Sequence, residues 1–425
     1  RMDHESEEEK DIDPFARQAY LEAQQALADK ETEKYINLLS QSANLGYVQA
    51  LNDLGDLYFN GELAPKHMGK AYEYFLKASQ NGSGYGSYSC GFILMKGSSD
   101  IPRDIEKGLS MFRLAVEQNY KAATRDLARY YYSLETEEDN RKALDYYLQY
   151  IEYNPKDTDT LLHIGLIYES GLGVPLNIDL ARRYYERAAE QDETGMAYNF
   201  LGGTYMNDEE TESNERKAVH YFQKAIELGN TNAMFRISYY LHNGKGGLQV
   251  DIPREIELLT EASKRGNHQA TYRLGLLFED NESGMAQNLE LSVKYFQLAA
   301  DNGILAAINK MGELYLFGEV IPANLTKAIS CFTAASEQGY GKASYWLGRL
   351  HTDGIGQLEK DTQKAMNYYR KAIEQGYEEA REWMEQLQKN LVDETITDIE
   401  IPQDKSDEEL SLIHISEPTR RSYIS

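Results

Sequence analysis

One arrangement of small, apolar and polar positions recurs along the chain at intervals of 36 or 37 residues. Its first form is ALNDLGDLYFNG, Ala50–Gly61: a small residue, an apolar residue four positions on, then glycine. It returns as GSYSCGFILMKG, ATRDLARYYYSL, TLLHIGLIYESG, AYNFLGGTYMND, AMFRISYYLHNG, ATYRLGLLFEDN, AINKMGELYLFG and ASYWLGRLHTDG. The central residues are Gly55, Gly91, Ala128, Gly165, Gly202, Ser238, Gly275, Gly312 and Gly348, which number repeats one to nine. A second segment follows each first one. AYEYFLKASQNG, Ala71–Gly82, returns as ARRYYERAAEQD, AVHYFQKAIELG, SVKYFQLAADNG, AISCFTAASEQG and AMNYYRKAIEQG. Self-similarity at such a period is the signature of a stacked array of supersecondary units.

Both segments read as α-helices. Ala50, Leu54 and Tyr58 fall at i, i+4 and i+8 of helix A, and Ala71, Tyr74, Phe75 and Ala78 form one stripe of helix B. Helix B runs out at Gly82, Asn119, Asn154, Asp192, Gly229, Gly266, Gly303, Gly339 and Gly376. Glycine, asparagine and aspartate all tolerate the left-handed conformation that commonly ends a helix, so all nine positions are expected to adopt it. A glycine inside helix A costs about 1 kcal/mol relative to alanine. The expected return is close approach of a neighbouring helix, with the alanines late in helix B (Ala78, Ala188, Ala225 and Ala299) serving the same end. In this register IYESGLGV, Ile167–Val174, is a helix end and the A-to-B turn. No strand pattern precedes it and no Lys-Ser or Lys-Thr follows, so it is not a phosphate-binding loop.

Helix pairs of this length, with A-x3-L-G-x2-Y-x2-G followed by KA-x2-Y-F-x2-A-x3-G, resemble the Sel-one-like repeat family, relatives of the tetratricopeptide repeats. The resemblance covers about residues 31–390. It implies an all-α fold, a right-handed superhelical α-solenoid of about nine helix-turn-helix repeats. Repeat three departs, with Ala128 for glycine and Tyr150 for alanine, and sits closer to an ordinary tetratricopeptide repeat, where a change of superhelical pitch is expected. Repeat six is loose in helix B, IPREIELLTEA. A helix around Phe15–Ala28 and a lone B-type helix, ETEKYINLLSQSANLG, open the array, and EEAREWMEQLQKN closes it as a cap with Trp383, Met384 and Leu387 on one side. The expected organisation is an acidic disordered start at 1–12, the solenoid at 13–390 and an acidic disordered tail at 391–409. The last run, LSLIHISEPTRRSYIS from Leu410 to Ser425, reads as translated sequencing adapter rather than native protein.

The net charge of −25 argues against nucleic acid and anionic lipid as partners. No apolar run approaches the ~20 residues needed to span a bilayer. Cys90 and Cys331 are far apart and fall on core positions held by leucine and tyrosine in other repeats. Two such cysteines make no disulfide framework and fit a reducing compartment. No two of the eight histidines stand three or four apart, and neither HExxH nor CxxC occurs, so no metal, cofactor or catalytic residue is expected. Sequons occur at Asn81, Asn281 and Asn324 at a near-chance frequency.

What remains is the A-helix face. In helix-pair solenoids of this type the A helices line the concave side. The stripe away from the core lies three residues before and one, four or five after the central residue. It carries Asn52, Asp56 and Phe59; Tyr88, Phe92 and Met95; Arg125, Arg129 and Tyr132; and Phe235, Tyr239 and His242. Further along come Tyr272; Asn309, Glu313 and Phe317; and Tyr345 and Arg349. Exposed aromatic and arginine side chains suit protein contacts, and the alternative is that they wedge between neighbouring repeats. Tyr88, Phe92, Arg125, Arg129, Phe235, Tyr239, Tyr272, Tyr345 and Arg349 are the candidate protein-binding residues. The expected function is a non-enzymatic, cytoplasmic adaptor for a protein or peptide. Two rivals stand beside it. The family implies one, a lumenal adaptor of a ubiquitin ligase in endoplasmic-reticulum degradation; the other is the regulatory repeat region of a larger enzyme truncated upstream, since the chain starts at Arg1 rather than Met.

Overall fold

The structure is a computed structural model that describes residues 12–280, 287–356 and 358–396. The described residues form twenty-one α-helices and no strand. The helices α1 (Pro14–Ala28) and α2 (Thr32–Asn44) pack as an opening pair. Nine A–B pairs follow. Repeats one to five are α3 (Val48–Asn60) with α4 (Met68–Gln80), α5 (Gly84–Lys96) with α6 (Ile105–Glu117), α7 (Ala122–Tyr132) with α8 (Glu137–Tyr153), α9 (Thr158–Ser170) with α10 (Ile178–Ala189), and α11 (Met196–Met206) with α12 (Glu212–Glu227). Repeats six to nine are α13 (Thr231–Asn243) with α14 (Ile252–Lys264), α15 (His268–Glu279) with α16 (Leu289–Asp301), α17 (Leu305–Phe317) with α18 (Leu325–Glu337), and α19 (Gly341–Asp353) with α20 (Thr362–Glu374). The cap is α21 (Ala380–Ile396). This is the α-solenoid that the repeat period implies. It comprises two compact units, the first ending at Leu228 and the second beginning at Gly229.

Each B helix starts on a side chain. The N-caps His67, Asp104, Thr136, Asn177, Thr211, Asp251, Asn288, Asn324 and Asp361 each accept a hydrogen bond from the backbone N–H three residues on. Before most of them the chain is pinned back to its own A helix, as where His67 N donates to Tyr58 O at 2.8 Å. Five of the nine A helices stop on left-handed glycines, Gly61, Gly171, Gly244, Gly318 and Gly354, so IYESGLGV is a helix end and turn. At the B-helix ends seven of the nine expected positions have positive φ. Asn154 does not, with φ −126°, because α8 runs on in repeat three to Tyr153. Asp192 does not either. Its carboxylate instead accepts from Thr194 N at 2.9 Å and Ala197 N at 2.8 Å, organising the entry to α11.

The central glycines do a different job from the one their small size suggests. Each is the seat of an aromatic ring from helix B of its own repeat. A methyl group placed on Gly91, Gly275, Gly312 or Gly348 would lie 2.7 Å from a ring atom of Phe112, Phe296, Phe332 or Tyr369, respectively. Gly55, Gly165 and Gly202 collide in the same way with Phe75, Tyr185 and Phe222. All seven rings are at most 4% exposed. Burying one such ring contributes about 2–3 kcal/mol. That outweighs the roughly 1 kcal/mol cost of glycine in the helix. Beside this seat runs a second contact. Tyr58–Tyr74, Tyr131–Tyr146, Tyr168–Tyr184, Tyr205–Tyr221, Phe278–Tyr295 and His351–Tyr368 stack within 12° of parallel, with centroids 5.5–6.1 Å apart. Cys331 occupies the B-helix position of this pair in repeat eight, half-buried, and Cys90 lies fully buried at a leucine position.

Between repeats, buried polar bonds join B to the next A. Ser79 Oγ and Ser87 Oγ lie 2.6 Å apart, and Gln118 Nε2 donates to Ser79 O at 3.0 Å. The arrangement recurs with Ser336, Ser344 and Gln375 at 2.6 and 2.9 Å. The cap extends past the expected boundary at 390, because α21 continues to Ile396. Residues 1–11, the remainder of the tail and the adapter-like run lie outside the described residues, as does Asn281.

The ring seat gives a direct test. Gly165→Ala is expected to destabilise unit one by about 1–3 kcal/mol through overpacking against Tyr185, although alanine is the better helix former. Denaturant unfolding of the variant against the parent chain measures it, and a stabilised variant would mean that the ring does not need the bare backbone.

Candidate protein-binding face

The A-helix stripe is partly consumed by bonds that run from one A helix to the next. In unit one, Asn52 Nδ2 donates to Ser83 Oγ at 3.0 Å and Tyr85 Oη to Asp56 Oδ1 at 2.7 Å, tying α3 to α5. Tyr88 leans on Phe112 and Tyr120, with centroids 5.4 and 5.0 Å away, and its hydroxyl bonds Asp126 on α7. Arg125 Nη1 donates to Asp157 Oδ1 at 3.0 Å, and Arg129 donates to Asp159 Oδ2 at 2.7 and 3.2 Å. Asp157 is also the N-cap of α9. The two arginines are therefore paired, not an unneutralised cationic clamp. Arg129 is exposed and Arg125 is half-buried over Tyr150. Phe92 keeps a face outward, tilted against Phe59 at 6.0 Å with Lys96 Nζ 4.7 Å above its ring.

In unit two, Phe235, Tyr239 and Tyr272 are half-buried. Lys245 Nζ donates to Tyr239 Oη at 3.1 Å, and Tyr272 packs against Phe296 at 5.7 Å. Glu313 accepts from Asn309 Nδ2, Trp346 Nε1 and Lys342 Nζ at 3.1, 2.9 and 2.9 Å, so α17 and α19 share one carboxylate. Phe317 is 40% exposed beside Trp346.

Two candidate residues are withdrawn from the surface. Tyr345 is 2% and Arg349 5% exposed. Trp383 of α21 covers them, with the Arg349 guanidinium 3.6 Å from the centre of its indole and Tyr345 6.2 Å away edge-on. Arg349 Nη1 donates to Tyr345 Oη at 2.7 Å beneath it. The cap closes the last repeat by cation–π stacking, and these two side chains are core here. The remaining seven candidates keep partial exposure.

The residues that sequence reasoning passed over are the ladder carboxylates Asp53, Asp126, Asp157 and Asp159, whereas Asp56 and Glu313 stand in the expected stripe. Asp53 accepts from Tyr20 Oη at 3.0 Å. Burial holds Asp53, Asp56 and Asp126 above the usual carboxylate range, opposed by the tyrosine hydrogen bonds. Position alone gives them little signal: aspartate or arginine stands immediately after the central residue in three of the nine repeats and two before it in four. Among the described residues no three His, Cys, Asp or Glu side chains are placed to hold a metal ion. No described helix is long and apolar enough to cross a membrane. Burial pushes the Cys90 thiol up to about 12, which leaves it protonated and unreactive at neutral pH. Asn81 is exposed, whereas Asn324 already caps α18.

Two tests follow from this geometry. Trp383→Ala is expected to lower the stability of unit two by about 2 kcal/mol. Glu382→Ala, an exposed neighbour on the same helix, should leave thermal unfolding unchanged. Burial also pushes the phenols of Tyr35, Tyr88 and Tyr369 up to about 12. Unfolded tyrosine ionises near pH ~10, so the folded state holds these protons more tightly. Their stabilising contribution is complete below that pH and is lost as pH rises through the folded value. The Tm should fall between about pH 10 and 12 together with the rise in phenolate absorbance, and phenolate forming without loss of Tm would contradict the burial argument.

Comparison with known proteins agrees with the repeat. The family model described as Sel1 repeat matches nine segments, residues 48–83, 85–120, 121–149, 160–193, 195–230, 231–267, 268–304, 305–340 and 341–377. The Sel1-repeat-containing protein YjcO of Escherichia coli K12 is 31% identical over 78 residues, 18% of this chain and 34% of that protein. Protein sel-1 homolog 2 of Rattus norvegicus is 40% identical over 70 residues, 16% of this chain and 10% of that protein. The matched stretches thus span about a third of one of these curated relatives and a tenth of the other. Among solved structures, a protective antigen of uropathogenic Escherichia coli with an SLR fold is 18% identical, with TM-score 0.44 over 92% of this chain and 97% of that one. A Sel1 repeat protein from Oxalobacter formigenes is 23% identical, with TM-score 0.38 over 88% and 86%. With nine matched segments covering most of its length, this chain belongs to the Sel1 repeat family.

Proposed function

We propose that the protein is a non-enzymatic scaffold that binds a protein or peptide along its A-helix face. The observation that carries this reading is the set of partly exposed aromatic side chains left on the A helices of each unit after the inter-helix bonds are made, together with Arg129, which stays exposed while it pairs with Asp159. Phe92, Arg129, Phe235 and Tyr239 stand at the same two positions around the central residue in repeats two, three and six. Large side chains held rigid by neighbouring bonds lose little conformational freedom on binding, which favours hot spots. Membership of a family of repeat scaffolds points the same way. No cofactor enters this reading. The chain's charge of −25 favours a basic partner segment over nucleic acid. The cytoplasm is the location this reading assumes, in keeping with two unpaired thiols. A glycan on Asn81 or Asn324 would place the chain in the secretory pathway instead.

Peptide-display selection against the full chain tests the proposal. Enriched peptides should bind a Phe92→Ala, Arg129→Ala, Tyr239→Ala variant at least about tenfold more weakly, with folding unchanged. Equal binding to parent and variant would remove this face from the function.

A further inference from the structure

Repeat six breaks the core pattern at several positions together. Its central residue is Ser238 rather than glycine, and Leu259 stands where the other repeats place the seated ring. Leu241 and Leu258 hold the two positions of the parallel aromatic pair. The remaining departure is chemical. Four residues before the ring, the other eight B helices carry only alanine, glycine or serine, from Ala71 in repeat one to Ala365 in repeat nine. Repeat six carries Glu255, and it is 0% exposed.

The carboxylate is not idle. Its Oε2 lies 2.9 Å from His242 Nδ1 on α13. Its Oε1 accepts from Arg273 Nε at 3.3 Å and Nη2 at 3.2 Å on α15. One buried side chain therefore ties three consecutive helices, α13, α14 and α15. The seats of the other repeats are apolar, and a ring on bare backbone loses contact gradually as helices separate. An ionic tie behaves differently. A carboxylate this buried is tolerated only while both partners stay in place, and it becomes unfavourable once one leaves. Leu259 also fills less volume than a ring, so less apolar contact holds α13 to α14.

We propose that Glu255 is a latch, and that repeat six is the segment of unit two built to open ahead of its neighbours. When the carboxylate loses His242 or Arg273, α13 and α14 separate, while the ring seats of repeats seven to nine stay closed. The opening is local and does not require global unfolding.

Hydrogen exchange on the full chain reads this directly. Amides of α13 and α14 should show protection at least about tenfold below those of α17 and α18. Glu255→Gln keeps the size and removes the charge. It should lower protection in α13–α15 by a further factor of about ten and leave α17 and α18 unchanged. The triple variant Ser238→Gly, Glu255→Ala, Leu259→Phe rebuilds the ring seat. It should raise protection in α13 and α14 to the level of α17 and α18. Uniform protection across unit two in the parent chain overturns the latch. So does a Glu255→Gln variant that exchanges like the parent, or a folded triple variant that stays as open as the parent. Should either variant fail to fold, the parent's own gradient decides.

Discussion

A ring from helix B resting on a bare stretch of helix A sets the geometry of this array. Because the contact needs the absence of a side chain, it fixes how closely the two helices of a repeat approach and which faces they turn to each other. Everything else is arranged around it. The parallel aromatic pairs lie to one side, the alanines of helix B meet the next repeat, and the opposite edge of helix A is left over for polar work. Seven glycines that are poor choices for a helix considered alone are good choices once Phe75, Phe112, Tyr185 and their counterparts are counted with them.

The leftover edge serves two purposes. Tyr85 with Asp56, Arg125 with Asp157 and Trp346 with Glu313 are bonds from one repeat to the next, made by residues that a surface reading would assign to a partner. A face braced in this way is preorganised. Phe92, held between Phe59 and Lys96, and Tyr239, bonded by Lys245, are restrained by contacts of their own, which lowers the entropy lost when a partner arrives.

The array was legible in the amino-acid sequence because its period is written in residue size, and size survives substitution. The helices, their order, the A-to-B turns and the core place of Cys90 all follow from it. The ring seat was less legible. Gly165 and Tyr185 stand twenty residues apart on different helices, and nothing local in the pattern says that one receives the other. The nine N-caps escaped notice because His67, Asp104, Thr136 and Asn177 share an acceptor atom but not an identity. The burial of Tyr345 and Arg349 was out of reach of the repeat logic. Their cover, Trp383, comes from a terminal helix that obeys no repeat. Asn154 and Asp192 show the limit of reading conformation from residue type, since each can adopt the left-handed region and neither does.

Nine B helices that each carry their own starting cap make every repeat a self-declared module. The cap of each B helix belongs to its own repeat, and in seven of the nine the seat and ring do as well. Whole repeats are therefore natural units of gain and loss for such a chain, and what must be retuned at each new junction is the small set of bonds between neighbours, such as Tyr85 with Asp56 or Arg125 with Asp157. The number of repeats is then an evolutionary variable, adjustable to the length of whatever the array must span, while the fold of each repeat stays the same.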